Sequence, residues 1–228
     1  MKAKPGVLAP SVTAGLSTVG MRMPDHPVAL QLLRTLKKPL AAPSANRSGK
    51  PSPTKASHVA EDLNGIIPYI VDGGTTGIGI ESTVLDVTHE PPVILRPGGV
   101  TKEMLEKVIG TVIEPTAAEQ KIESTPKAPG MKYTHYAPEA PVYLIDETAN
   151  IELAVTTLQQ QGHKVALLAP SNYAHSVADY FFTFGDEHDQ SQMGANLYDA
   201  LRSCDKTDAT IILATATSKQ GVGSAIMN

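Results

Sequence analysis

Continuous apolar runs mark the second half of the chain. They cover residues 142–145, 165–168 and 210–214. Between them, residues 151–161 and 192–202 have apolar side chains at the spacing of a helix. Parallel strands that are covered by helices on both faces produce unbroken runs of this kind. The order strand, helix, strand, helix, strand therefore predicts a small Rossmann-like, parallel-sheet domain.

Shorter elements of mixed character fill the first half. Residues 17–23 alternate, with Val19, Met21 and Met23 on one face, which predicts a half-buried strand. Further short strands are predicted at residues 40–43, 66–71, 82–87 and 93–96. Short strands mixed with helices predict an α/β domain with a largely mixed sheet, so the fold class of the whole chain is α/β.

Three helices of the first half are predicted from their capping signals. Asp25 is the expected cap of a helix that runs to about residue 37 and ends before Pro39. Ser52 is the expected cap of a second helix, with Pro53 at its first position. Thr101 is the expected cap of a third helix that ends near residue 109.

A proline-rich segment separates the two halves. Residues 115–141 contain five prolines, which predicts an extended linker. The predicted domains are therefore residues 1–114 and 142–228. The linker includes Tyr133, His135 and Tyr136 within residues 129–138, a cluster too rich in aromatic and basic groups for a passive tether.

Composition is that of an ordinary globular protein, with 41% hydrophobic and 18% charged residues. The single cysteine, Cys204, excludes an internal disulfide framework, and a small buried apolar residue is favoured over a nucleophile. No apolar run approaches the length of a membrane span, and the N-terminus leads into no signal-peptide core. These features predict a soluble, cytoplasmic protein without a membrane partner.

Charge is distributed unevenly. Residues 1–115 carry 12 Lys and Arg against 10 Asp and Glu, whereas residues 116–228 carry 7 against 13. Neither part has the strongly basic field of a dedicated nucleic-acid binder. The slightly basic first part is the better place for an anionic small molecule.

Several familiar motifs are absent from the sequence. Residues 74–79 do not match GxGxxG, Gly49-Lys50 lacks the glycine of a Walker A loop, and there is no CxxC or HExxH. The acidic run at residues 186–189 is better explained as a solvated loop than as a metal site. We therefore predict no catalytic side chain and no metal ligand.

Small polar loops at strand ends are the remaining candidates for chemistry. Ser44 and Asn46 precede a helix N-terminus, where unpaired N–H groups suit phosphate oxygens. A turn with its own internal hydrogen bonds is the alternative. Arg22 and Arg96 lie at predicted strand ends, and a planar guanidinium can donate paired hydrogen bonds to a carboxylate or a phosphate. The alternative for each is a surface arginine. The Glu81-Ser82-Thr83 segment could orient a ligand or simply begin a strand.

Together these segments resemble a known family. The resemblance rests on five segments in order, with spacing that makes the match specific: residues 17–24, 42–46, 48–54, 81–84 and 95–98. They are similar to YrdC-type threonylcarbamoyl-adenylate synthases. Residues 129–138 and the Rossmann-like tail resemble the long, two-domain form of that family.

This resemblance implies a reaction and a site. L-threonine, bicarbonate and ATP would give threonylcarbamoyl-adenylate, pyrophosphate and water, with Mg²⁺ assisting, and tRNA threonylcarbamoyl-transferase proteins would use the product. Arg22, Ser82 and the Ala42 backbone would hold threonine. The nucleotide would be contacted by Thr18, Ser44, Asn46, Ser52 and Arg96, and a linker lid around His135 and Tyr136 would cover it.

The family's catalytic domain begins with further strands and helices that carry a Lys-x-Arg motif. Since these do not precede Met1, the resemblance leads us to expect a fragment that is inactive alone. Two alternatives remain at this point: a non-catalytic tRNA- or nucleotide-binding module, and the YrdC-like domain of hydrogenase-maturation carbamoyltransferases. The linker and the tail count against the second alternative.

Overall fold

The computed structural model describes residues 1–115, 137–146 and 150–227. The first part contains helices α1 (Pro10–Thr13), α2 (Pro27–Leu36), α3 (Ala56–Leu63) and α4 (Lys102–Ile109), with strands β1 (Val84–Asp86) and β2 (Val93–Arg96). The second part contains strands β3 (Val142–Ile145), β4 (Val165–Ala169), β5 (Tyr180–Thr183) and β6 (Ile211–Thr215), with helices α5 (Ile151–Gln160), α6 (Gln190–Cys204) and α7 (Gly223–Ile226).

The second part has the predicted parallel sheet, in the order β3-β6-β4-β5. All five residues of β4 are buried, because α5 packs on one face of the sheet and α6 on the other. Alternate residues of β4 and β6 therefore belong to two separate apolar clusters, one under each helix. This arrangement explains the unbroken apolar runs and confirms the Rossmann-like prediction.

The two edges of this sheet differ from the prediction. The interpretation of β3 as buried on both faces is wrong, because β3 is an edge strand in which Val142, Tyr143 and Leu144 are exposed. The opposite edge is β5, which the sequence pattern did not predict. Its residues are half-buried or exposed, so they lack the apolar signal of a central strand.

The first part contains less sheet than predicted. Strands β1 and β2 pair antiparallel and confirm two of the predicted strands, but residues 17–23, 40–43 and 66–71 form none. A strand needs a partner for its backbone groups, and within the described residues the segment 17–23 has only an isolated bridge from Thr18 to Lys2. Met21 and Met23 are consequently 71% and 93% exposed.

Two of the predicted helix caps are wrong. Helix α2 begins after His26, so Asp25 lies outside it, and no side chain caps it. Helix α3 begins after Lys55, three residues beyond the predicted Ser52 cap. The Ser52 hydroxyl donates to the carboxylate of Glu81 instead. The Thr101 cap of α4 is confirmed, because its side chain accepts the backbone N–H of Met104.

Helix α6 joins the two parts of the protein through charged groups. The Arg202 guanidinium donates to both carboxylate oxygens of Asp62, at 3.2 and 2.7 Å, and twice to the Pro51 carbonyl, at 3.0 and 2.6 Å. The side chains of Arg202 and Asp62 are 5% and 7% exposed. Lys55 reaches Asp199 at 2.8 Å beside this pair. The first part is thus held against α6 by a buried ion pair.

Candidate functional site

The loop of residues 78–83 is held tightly between the two parts. A Cβ on Gly79 would lie 2.4 Å from the Cα of Ala195, so the loop backbone touches helix α6. On the other side, a Cβ on Gly98 would lie 2.2 Å from the backbone nitrogen of Thr83. Glycine is therefore required at both positions, because any side chain would collide with backbone atoms.

Glu81 is the centre of a hydrogen-bonded group in this loop. The Ser52 hydroxyl donates to its Oε1 at 3.0 Å, and the Tyr198 hydroxyl donates to its Oε2 at 2.6 Å. Its backbone carbonyl accepts the N–H of Gly99 at 3.2 Å. Glu81 is therefore fixed at both its backbone and its carboxylate.

Arg96 fixes the next residue of the loop. Its Nε and Nη2 donate to the Ser82 carbonyl at 3.2 and 2.9 Å, and Arg96 is only 8% exposed. Arg96 lies at the end of β2, as its position in the sequence predicted, and these two hydrogen bonds join its guanidinium to the loop backbone. We call Ser52, Glu81, Ser82, Arg96 and Tyr198 the Glu81 cluster.

Three of the predicted site residues, Ser52, Ser82 and Arg96, thus come together. Four others do not join them: within the part of the chain that the structure describes, no hydrogen bond connects the Glu81 cluster with Thr18, Arg22, Ala42 or Ser44. Three of these four are exposed, and Thr18 is half-buried.

Asn46 stabilises its own loop. Its amide nitrogen donates to the carbonyls of Arg47 and Lys50 at 2.9 and 3.0 Å. Among the described residues its buried carboxamide oxygen has no hydrogen-bond partner, so it retains the capacity to accept from a ligand. The predicted lid residues His135 and Tyr136 lie outside the described residues.

The described residues contain no group of three or more His, Cys, Asp or Glu side chains arranged to hold a metal ion. In the Glu81 cluster the single carboxylate already accepts two hydroxyls. Magnesium commonly enters a site on nucleotide phosphates with few protein ligands, and the single carboxylate of this cluster fits that mode of binding. Among the described helices, none is long and apolar enough to cross a membrane.

Two members of the cluster were missed as site residues. Glu81 was noticed only as part of a loop that could orient a ligand, and Tyr198 was not singled out. Tyr198 contributes to the apolar cluster under α6 and is 117 residues from Glu81 in sequence, so no local pattern connects them. The only signal available was its position on the predicted helix.

The fold and the Glu81 cluster define an α/β protein of two parts. The polar site lies in a loop of the first part, and helix α6 of the parallel-sheet second part packs against that loop. Residues 1–98 match the Sua5, YciO and YrdC family profile, described as telomere recombination. Residues 100–228 match the profile of the threonylcarbamoyl-AMP synthase C-terminal domain. The chain therefore belongs to the threonylcarbamoyl-AMP synthase family.

Similar proteins agree with this assignment. The chain is 51% identical to a threonylcarbamoyl-AMP synthase of Bacillus subtilis over 99% of its own length, and 46% identical to one of Pyrococcus abyssi over 95%. A crystal structure of P. abyssi Sua5 complexed with L-threonine superposes with a TM-score of 0.89 at 46% identity, covering 97% of this chain and 65% of that one. The chain spans 65% and 64% of the length of the two curated relatives.

Proposed function

We propose that this chain takes part in the synthesis of threonylcarbamoyl-AMP from L-threonine, bicarbonate and ATP, with release of pyrophosphate and water. The observation that carries the proposal is the similarity, over nearly the whole chain, to relatives named for this activity. Structural similarity to P. abyssi Sua5, which was crystallised with L-threonine, supports threonine as the amino-acid substrate. Because the product serves tRNA modification, we expect the reaction in the cytoplasm and tRNA threonylcarbamoyl-transferase proteins downstream.

The proposed chemistry needs no side-chain nucleophile. The threonine amine first combines with bicarbonate to give a carbamate and water. A carbamate oxygen then attacks the α-phosphorus of ATP, the bond from that phosphorus to the oxygen bridging to the β-phosphate breaks, and pyrophosphate leaves. The protein contributes by positioning the reactants and stabilising charge. Mg²⁺ would neutralise the leaving pyrophosphate when bound with the nucleotide.

The residue roles follow the family resemblance. Arg22 and Ser82, with the Ala42 backbone, would bind the threonine carboxylate or hydroxyl. The nucleotide side would be formed by Thr18, Ser44, Asn46, Ser52 and Arg96, with His135 and Tyr136 covering it. The hydrogen bonds of the Glu81 cluster support a common location for Ser52, Ser82 and Arg96. The carboxamide oxygen of Asn46, which has no hydrogen-bond partner within residues 1–115, 137–146 and 150–227, supports a ligand contact there.

Pyrophosphate release in the presence of ATP, L-threonine and bicarbonate tests the proposal. The chain is assayed alone and mixed with the polypeptide that the relatives carry beyond the matched region. We expect release that requires all three substrates in at least one arm. Arg22→Ala is expected to raise the KM for threonine, whereas Arg34→Ala, an exposed arginine of α2, serves as the matched control.

Two results would count against the proposal. Pyrophosphate release that ignores threonine would exclude this reaction. ATP binding by calorimetry without turnover in either arm would instead support a non-catalytic nucleotide-binding module. A salt-dependent shift of tRNA by the chain would favour direct RNA binding, which the charge of the first part does not predict.

A further inference from the structure

The Glu81 carboxylate is shared by hydroxyls from both parts of the protein. Ser52 of the first part donates to one oxygen at 3.0 Å, and Tyr198 of helix α6 donates to the other at 2.6 Å. Since Ser52 is a predicted nucleotide contact, this chain of bonds connects the second part to the candidate site.

Tyr198 is held rigidly enough to determine where Glu81 lies. It is 7% exposed and belongs to the apolar cluster between α6 and the sheet. The same helix touches the loop at Gly79, two residues before Glu81. A buried phenol hydroxyl needs a hydrogen-bond partner, and Glu81 supplies it. The second part therefore fixes both the loop backbone and the Glu81 carboxylate.

This arrangement determines the hydrogen-bonding character of Ser52. A serine hydroxyl has one hydrogen to donate and lone pairs to accept. In the structure that hydrogen is directed to Glu81, so the Ser52 oxygen can offer only its lone pairs to a ligand. It is thus suited to a hydroxyl or amino hydrogen of a nucleoside and unsuited to a phosphate oxygen, which itself only accepts.

We propose, on the basis of the function proposed above, that Tyr198 is a positioning residue which acts through Glu81 to present Ser52 as a hydrogen-bond acceptor to the nucleoside of ATP. Without the Tyr198 hydroxyl, the carboxylate loses one of its two side-chain anchors and the Ser52 hydroxyl can rotate. Tyr198 itself does not touch the ligand.

The test is a mutant cycle in which ATP binding to the full chain is measured by calorimetry. Tyr198→Phe and Ser52→Ala are each expected to weaken ATP binding about 3- to 10-fold, the effect of one hydrogen bond. Because Tyr198 acts through Ser52, the double variant is expected to bind ATP no more weakly than Ser52→Ala. Affinity for tripolyphosphate, which has no nucleoside, is expected to stay within about 2-fold.

Tyr180→Phe is the matched control, because its hydroxyl also donates to a carboxylate, Asp208 at 2.5 Å, but on the surface of the second part. The proposal is overturned if Tyr198→Phe resembles Tyr180→Phe in ATP affinity, or if its effect adds fully to that of Ser52→Ala. An equal loss of tripolyphosphate affinity would overturn the assignment of Ser52 to the nucleoside.

A second measurement separates this proposal from the proposed function. Tyr198→Phe is expected to move the amide resonance of Ser52 in ligand-free protein, and Tyr180→Phe is not. If the Ser52 resonance moves but the wild-type chain binds no ATP, either alone or mixed with the polypeptide that the relatives carry beyond the matched region, the proposed function fails and the coupling between Tyr198 and Ser52 stands. If the resonance does not move, Tyr198 does not position Ser52.

Discussion

Replacing Arg202 tests whether the two parts of the protein depend on their buried ion pair. Arg202→Met keeps the apolar stem but removes the four hydrogen bonds to Asp62 and Pro51. Asp62, at 6% exposure, then remains as a buried carboxylate without its cation. Breaking such a pair from one side costs about 3–5 kcal/mol, most of it from the uncompensated charge.

The assay is urea unfolding at pH 7, where Asp62 is ionised. Burial alone would raise the pKa of Asp62, but the hydrogen bonds and charge of Arg202 outweigh this effect and hold the pKa below its usual value. Since the folded-state pKa is depressed, the stabilisation is present at neutral pH and is lost as the pH falls below about 4.

Two further variants make the reasoning refutable. The surface pair Lys206–Glu61 has a similar separation of 2.7 Å but is about half exposed, so Lys206→Ala should cost about 0–1 kcal/mol. Asp62→Leu combined with Arg202→Met leaves no buried charge, but it leaves the Pro51 carbonyl unsatisfied and takes from the Arg47 N–H its acceptor at 3.2 Å. The double variant should therefore cost about 1–3 kcal/mol for the carbonyl, with a smaller addition for the N–H of the exposed Arg47. If Arg202→Met costs no more than Lys206→Ala, or if the double variant is less stable than Arg202→Met, the buried-charge argument is wrong.

Three other predictions concern pH, packing and reactivity. Burial, followed by the charge of Arg202, lowers the pKa of His58, so the folded protein binds fewer protons than the unfolded chain below about pH 6.5. Its stability should therefore rise with pH up to that value and then level off, and His58→Gln should flatten the rise in urea titrations from pH 5 to 8. Gly79→Ala should cost roughly 2–4 kcal/mol in the same assay, because its φ is +76° and the added Cβ would collide with α6. Burial raises the pKa of Cys204 to about 12, so its labelling by a thiol reagent should be on the order of 10³-fold slower than in the unfolded chain.

Each of these predictions has a control or a contrary outcome. His188→Gln, a change at an exposed histidine, is the control for His58→Gln in the same urea titrations. Gly77→Ala should be nearly neutral, because no atom of the described residues lies within 4 Å of the added Cβ. Equal losses for Gly77→Ala and Gly79→Ala would show that the contact with α6 is unimportant. Rapid labelling of Cys204 in the native protein would contradict its burial.

Sequence patterns predicted the second part well because its core is formed by central parallel strands. Burial on both faces leaves an unbroken apolar signature, as in Val165–Ala169, whereas the edge strand Tyr180–Thr183 lacks it and was missed. In the first part, apolar and polar residues alternate along residues 17–23 as in a half-buried strand. This pattern does not reveal whether a neighbouring strand is present to accept and donate the backbone hydrogen bonds. The pattern therefore predicted a strand that the described residues do not complete.

The candidate site was predicted only where its residues belong to local motifs. Ser52, Ser82 and Arg96 were identified from their segments, and the structure brings them together. The contributions of α6 could not be predicted in this way, because Tyr198 and Arg202 contact residues more than 100 positions away. Charged residues on a helix usually indicate a solvated face, yet Arg202 is buried.

One side of helix α6 contributes both to the stability of the protein and to the geometry of the Glu81 cluster. Ala195, Tyr198 and Arg202 follow one another at intervals of three and four residues, so they lie on one side of the helix. From that side they contact Gly79, Glu81 and Asp62 respectively. The ion pair brings the first part to the helix, and the tyrosine then orients a carboxylate within it. The two roles should be separable, because Tyr198→Phe removes one hydroxyl and leaves the buried charges paired. A loss of ligand affinity without a large loss of stability is the result that this division of roles requires.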